Sequence, residues 1–335
     1  GSGSRRKARA TMSDPTPPRD TLRHEAPPVF RSLVSVGAEI HGYVVESMLG
    51  AGAMGEVWRV RQKMLNLPRA MKVLKSNIAS IERFEEEMRM LAMIKHDNVV
   101  KVIDSGMLPD RSLFYVMEFV RGRNLEDEIA KHRGRRLQWE HVRDIILQVC
   151  DGLAAIHARG IIHRDIKPAN CMLTLETDKH LLVKLVDLGV AKRLSLDTAN
   201  TSEGFFIGTP SYASPEQAAG ENSRVSYRSD VYGVGVMLYE LLTGRIPHVD
   251  EDTTLQALLC QRIIGRLPPP PSVFVHPGTF PPDLDDIVAR ALQPDPIARF
   301  QSMREFADAI RQRAAITLID HPTPRRPDQA PQTPS

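Results

Sequence analysis

The chain has 335 residues, of which 42% are hydrophobic, and a formal net charge of +3. A length prior of about 150 residues per domain gives two folding units, or two lobes with tails, and so small a charge predicts neither a nucleic-acid nor a membrane partner. Three widely spaced cysteines (Cys150, Cys171, Cys260) form no CxxC or Cys/His cluster, which argues against a structural zinc and fits a reduced, cytoplasmic setting.

Residues 1–36 are polar and carry Pro15, Pro17, Pro18, Pro27 and Pro28 without periodicity, so they are expected to be disordered. Gly1-Ser2-Gly3-Ser4 resembles an expression-vector remnant, which puts the expected natural start at Met12 and makes residues 1–11 vector-derived. No apolar h-region follows the basic N-terminus, as a signal peptide requires. From residue 37 the pattern turns to strands. Tyr43–Leu49, Glu56–Arg61 and Ala70–Leu74 read as β, the second by clean apolar–polar alternation. Ser80–Ile94 has helical spacing, with Ile81, Phe84, Met88 and Leu91 on one face. Val99–Asp104 and Leu113–Phe119 supply two more strands. After residue 121 the character becomes helical: Trp139–Arg159, Asp230–Leu242, Leu255–Ile264 and Leu284–Leu292. The most apolar long stretch, 142–162, is broken by Arg143, Asp144, Asp151, His157 and Arg159. It therefore falls short of the roughly 20 apolar residues a membrane span needs. From residue 313 a second proline-bearing tail runs to 335. The expected organisation is thus α+β: a strand-rich lobe, 37–120, before a helix-rich lobe, 121–312.

Five short segments carry chemistry. Gly50-Ala51-Gly52-Ala53-Met54-Gly55 is a GxGxxG. Dinucleotide-binding folds use the same string, but there it opens a helix. Here a strand follows, so the glycines form a flap between strands whose backbone amides can approach phosphates. Lys72 lies inside an apolar strand, where a lysine is rarely buried without a partner. The expected partner is a carboxylate on the next helix. Glu87 is favoured over Glu85 and Glu86 because it sits three residues after Phe84 and four before Leu91. His163-Arg164-Asp165-Ile166-Lys167-Pro168-Ala169-Asn170 gathers a carboxylate, an ammonium and a carboxamide on a stiffened loop. Asp187-Leu188-Gly189 ends the apolar strand Leu181–Val186, a reasonable place for a Mg²⁺ ligand. A long polar loop then runs to Gly208-Thr209-Pro210-Ser211-Tyr212-Ala213-Ser214-Pro215-Glu216, and loops longer than about 15 residues are usually functional.

In this order, the segments resemble the catalytic domain of protein kinases across Ile40–Gln312, with the closest flavour that of bacterial Hanks-type serine/threonine kinases. Ser214-Pro215-Glu216 stands for the usual Ala-Pro-Glu, Asp230 matches the family's buried helix aspartate, and Arg299 matches the late arginine that pairs with Glu216. The resemblance implies a bilobal kinase fold with a small β-rich N-lobe and a larger helical C-lobe. It implies ATP and Mg²⁺, with Mn²⁺ as a substitute, and protein substrates phosphorylated on serine or threonine. By the same resemblance Asp165 is the base, Lys167 neutralises the moving phosphoryl group, and Asn170 and Asp187 hold the metal. Lys72, braced by Glu87, grips the phosphates under the glycine loop Gly50–Gly55, which Leu49 precedes. Adenine is expected between Val57 and Ala70 above and Met172 below, with backbone hydrogen bonds at Glu118 and Val120 and Met117 as gatekeeper. Lys167-Pro168-x-Asn170 is similar to serine/threonine kinases, as is Thr209, expected to bond Asp165 and Lys167. Leu188 replaces the family's phenylalanine and leaves the metal ligand unchanged.

Regulation is inferred from Arg164, which precedes the base as in kinases activated by loop phosphorylation. Thr201, eight residues before Thr209, is the expected autophosphorylation site, with Thr198 and Ser202 as competitors. Glu203 stands where relatives carry a second threonine, so appreciable basal activity is expected. A homodimer for trans-autophosphorylation is a further expectation. The alternatives are a pseudokinase scaffold, which predicts loss of Lys72, Asp165, Asn170 or Asp187, and a small-molecule kinase, which lacks the 208–216 segment.

Overall fold

The computed structural model describes residues 34–52, 54–75, 80–132, 137–175, 181–190, 210–250 and 252–319, with side chains through 312. The chain divides into units Gly1–Ser35 and Val36–Ser335, and the architecture is that of the second. Six strands, β1 (Glu39–Ile40), β2 (Tyr43–Gly52), β3 (Gly55–Gln62), β4 (Leu67–Leu74), β5 (Val102–Met107) and β6 (Leu113–Glu118), form one antiparallel sheet in the order β1-β2-β3-β4-β6-β5. In β2 the first residues alternate between core and surface, while Ser47–Gly52 is an exposed flap that stays paired with β3, Gly50 opposite Val57 and Gly52 opposite Gly55. Helix α1 (Ile81–Ala92) is capped by Ser80, whose hydroxyl accepts from the Arg83 N–H at 3.3 Å. Its inward face carries Phe84, Glu87, Met88 and Leu91.

The fifth strand begins at Val102, three residues later than expected. Val99 and Val100 are held elsewhere: the Val100 N–H donates to the Leu185 carbonyl at 2.9 Å, and Leu185 N–H donates to the Asn98 carbonyl at 2.9 Å. This pairing stitches the six-stranded sheet to a second, three-stranded one, β7-β8-β9 (Arg123–Asn124, Cys171–Leu175, Leu181–Leu185).

The helices are α2 (Leu125–Lys131), α3 (Trp139–His157), α4 (Pro215–Ala218), α5 (Tyr227–Thr243), α6 (Leu255–Ile264), α7 (Leu284–Ala291) and α8 (Met303–Ile319). In α5, 14 of 17 residues are buried, so it is the axis around which the others pack. Ser226 and Ser229 close its N-terminus in a capping box, and Gly244 ends it in the left-handed conformation at φ 73°. Helix α3 lies against α5, α8 and β9. The six-stranded sheet lies before residue 119 and all helices but α1 follow it, an α+β arrangement. Among the described residues no helix is long and apolar enough to cross a membrane.

Candidate active site

Asp230, at the start of α5, organises the loop before β8. Its carboxylate accepts from the backbone N–H groups of His163 and Arg164, each at 2.8 Å, and lies 2.8 Å from His157 Nε2. Burial alone would raise the pKa of Asp230, but the His157 contact and these N–H donors outweigh it and hold the carboxyl below its ordinary range. The two backbone bonds are what allow Arg164 to sit at φ 64°, a conformation unfavourable for a side chain. With the chain so bent, Asp165 turns towards its neighbours. Lys167 Nζ is 3.2 Å from Asp165 Oδ2. The Asn170 Nδ2 donates to the Asp165 backbone carbonyl at 2.8 Å and to Oδ2 at 3.1 Å. Both bonds use the amide nitrogen, so the Asn170 amide oxygen is the atom left for a cation.

Lys72 reaches across from β4. It is 4% exposed and forms an ion pair with Asp187. On the inward face of α1 Glu87 is buried, whereas Glu85 and Glu86 face solvent. The pairing of Lys72 with Asp187 was not expected from the sequence. Asp187 itself has φ 58°, and Gly189 follows at φ 69°. A Cβ on Gly189 would stand 2.1 Å from the His163 carbonyl oxygen, so only glycine lets the two loops touch. Gly55 is tight for a similar reason, since a Cβ there would meet the Val73 carbonyl at 2.2 Å.

Between the sheet and the loop lies a cleft of about 390 Å³. It brings together Leu49, Gly50, Val57, Ala70, Lys72, Met117, Glu118, Val120, Asn170, Met172 and Asp187. Ala51, Gly52, Met54 and Gly55 lie on the flap or its turn, outside that lining. The Glu118 side chain points away from the cleft to Lys184 Nζ at 3.0 Å and the Lys101 N–H at 2.9 Å. Its own N–H donates to the Lys101 carbonyl at 3.0 Å. The lining also includes Phe119, Arg123, Asn124 and Asp127, which sequence reasoning missed. A signal existed: Asn124 followed by Glu126 and Asp127 is an N-cap with an acidic first turn, and Asn124 Oδ1 accepts from the Asp127 N–H at 2.7 Å.

The segment from residue 210 is fastened beside the loop. Gln217 Nε2 donates to the Arg164 carbonyl at 3.0 Å, Tyr212 donates to Glu240 at 2.7 Å, and buried Arg262 donates to the Ser211 carbonyl at 2.7 Å. Glu216 forms a bidentate pair with Arg299, both bonds 2.8 Å, and accepts from Ser229 Oγ at 2.6 Å. Ala53, Thr198, Thr201, Ser202, Glu203 and Thr209 lie outside the described residues. Among the described residues there is no cluster of three or more His, Cys, Asp or Glu that could hold a metal alone. One carboxylate and one amide oxygen, Asp187 and Asn170, do suit a hard cation that brings phosphate oxygens and water with it.

The family model for the protein kinase domain matches residues 43–310. Serine/threonine-protein kinase pkn3 of Myxococcus xanthus is 36% identical over 297 residues, covering 87% of this chain and 52% of that protein. Serine/threonine-protein kinase PknA of Mycobacterium tuberculosis is 35% identical over 309 residues, covering 89% and 66%. The chain thus spans about half to two-thirds of the length of these curated relatives. The crystal structure of the PknI kinase domain of M. tuberculosis superposes with a TM-score of 0.64 at 30% identity, over 84% of this chain and 99% of that one.

Proposed function

The chain belongs to the protein kinase family, and from that premise we propose that it is an active serine/threonine kinase, moving the γ-phosphoryl group of ATP to hydroxyls of protein substrates. The observation that carries this reading is that Lys72, Asp187 and Asn170 line one cleft, while Asn170 is hydrogen-bonded to Asp165, which pairs with Lys167. Phosphoryl transfer asks for positioning and charge compensation rather than covalent chemistry. Asp165 accepts the proton of the acceptor hydroxyl, and Asn170 fixes which carboxylate oxygen is engaged. Lys167, already beside Asp165, carries the positive charge that the moving phosphoryl group needs. Lys72 exchanges Asp187 for phosphate oxygens, which leaves Asp187 and the Asn170 amide oxygen for the cation. Kinases use ATP with a divalent ion; Mg²⁺ is the ion proposed here, with Mn²⁺ as a substitute. When bound, it neutralises phosphate charge. Asp230 acts through Arg164 and His163 by holding the loop.

Nothing favours a catalytically empty scaffold, because Lys72, Asp165, Asn170 and Asp187 are all retained. Thr201 as autophosphorylation site, with Thr198 and Ser202 as the other candidates, Arg164 as its phosphate sensor, Thr209 as partner of Asp165, and transient homodimers for trans-phosphorylation complete the proposal. ATP turnover with casein as acceptor tests it. Turnover lost in Asp165→Asn, with nucleotide binding intact, supports the reading, while wild-type binding without turnover favours a scaffold.

A further inference from the structure

Tyr115 is the group behind this cleft that the proposed mechanism leaves unused. It sits on β6 directly across from Lys72 on β4, and on its other side from Ser105 on β5. Cross-strand partners share a face of the sheet, so the phenol and the lysine ammonium project together towards α1 and the end of β9. Tyr115 is 1% exposed, and its hydroxyl has no hydrogen-bond partner among the described residues. A buried tyrosine hydroxyl usually finds an acceptor, and leaving it without one is costly. Phenylalanine would fill the same space without that cost, so the oxygen calls for an explanation in function. Two acceptors are near: burial, Asp187 and Glu87 together push the phenol pKa well above its usual value. The hydroxyl therefore stays protonated and remains a donor.

The two carboxylates differ in what they need. Asp187 has a side chain 34% exposed, so solvent or a cation can serve it. Glu87 is 3% exposed, so solvent cannot serve it, and a carboxylate offers about four acceptor positions. In this structure Lys72 is engaged with Asp187. We propose that Tyr115 is a positioning residue whose hydroxyl donates to Glu87 once nucleotide draws Lys72 away from Asp187, fixing Glu87 as the brace for Lys72. The unmade bond then disfavours the nucleotide-free arrangement, and making it favours the loaded one. This inference rests on the kinase reading of the cleft.

The test is Tyr115→Phe, read without and with Mg²⁺ and a non-hydrolysable ATP analogue. Ligand-free Tyr115→Phe should melt at or above the wild-type temperature, since it loses an unpartnered polar atom. Its stabilisation by Mg²⁺ and the analogue should be smaller than that of wild type by about 2–4 °C. Its kcat/KM for ATP should fall about tenfold, the worth of one hydrogen bond to a charged group. Tyr115→Leu, which also lacks the hydroxyl, should lose nucleotide-dependent stabilisation in the same way. Wild-type kinetics and wild-type stabilisation in Tyr115→Phe would overturn the inference. So would ligand-free Tyr115→Phe melting several degrees low, because the hydroxyl would then already be bonded at rest. If wild type binds nucleotide but transfers nothing, the kinase reading fails, whereas the stabilisation arm still judges Tyr115.

Discussion

Replacing Arg299 with methionine isolates the buried pair that locks the 210–216 segment onto α5. Glu216 is 2% exposed and Arg299 is wholly buried, so water cannot take over when one partner goes. Arg299→Met leaves the carboxylate with the Ser229 hydroxyl and a backbone N–H but no charged partner, and strips donors from the carbonyls of Gln293, Pro294 and Arg228. Breaking a buried pair in this way costs about 3–5 kcal/mol. At roughly 2–4 °C per kcal/mol for a domain of this size, the melting temperature should fall by about 6–20 °C. The double variant Glu216→Met/Arg299→Met removes the orphaned charge and should recover part of the loss, though not the part due to the three carbonyls. Acidification supplies a second signature. Burial pushes Glu216 up, but the hydrogen bonds and charge of Arg299 outweigh it and hold the folded pKa below the usual value. The pair's contribution is therefore present above the unfolded carboxylate pKa of about 4.3 and is lost as pH falls through the lower folded value. In Arg299→Met the unpaired carboxylate takes up a proton more readily, so the gap between the two proteins should be widest near neutral pH and narrow towards acid. Thermal denaturation followed by circular dichroism across pH measures both. A loss under about 1 kcal/mol for Arg299→Met, as for an exposed pair, or a gap that widens in acid, would show that the Glu216 carboxylate does not depend on Arg299.

Asp230→Ala should cost about 2–3 kcal/mol, because the His163 and Arg164 N–H groups lose their acceptor. It should also depress kcat more than KM, as steady-state kinetics and denaturation can establish together. Gly189→Ala forces a Cβ to within 2.1 Å of the His163 carbonyl at a positive φ. Expression as a destabilised protein with little activity is expected, read by melting temperature and turnover. Cys260 is exposed while Cys150 and Cys171 are buried, with burial pushing the Cys171 thiol up to about 12. One equivalent of thiol reagent should therefore react rapidly with native protein at pH 8, counted by intact mass, with Cys260→Ser abolishing it.

Local periodicity made some of the site legible. The face of α1 identified Glu87 among three consecutive glutamates because burial on a helix follows its 3.6-residue repeat. The alternation of β3 likewise separated a flap between strands from a glycine turn that opens a helix. What escaped were contacts set by tertiary pairing. Lys72 and Asp187 are 115 residues apart, and no spacing rule joins them. Val99 and Val100 have the composition of a strand, yet the Val99 N–H donates to the His96 carbonyl and the Val100 N–H to that of Leu185, which moves the start of β5 to Val102. Strand β7 has two residues, too few to show alternation, so the three-stranded sheet and the cleft floor it builds were unreadable. Helix α8 is a different case: Met303, Phe306, Ala307 and Ile310 carry helical spacing that was there to be used, and the helix runs on to Ile319, past the expected end of the folded region at 312.

Phosphoryl transfer to an alcohol oxygen beside Asp165 is read by incubating the protein with γ-labelled ATP, Mg²⁺ and casein and hydrolysing the product to its phosphoamino acids. Label is expected on phosphoserine and phosphothreonine, none on phosphotyrosine, with a fall of at least about a hundredfold for Asp165→Asn. Label on phosphotyrosine, or transfer that survives Asp165→Asn undiminished, would contradict that expectation.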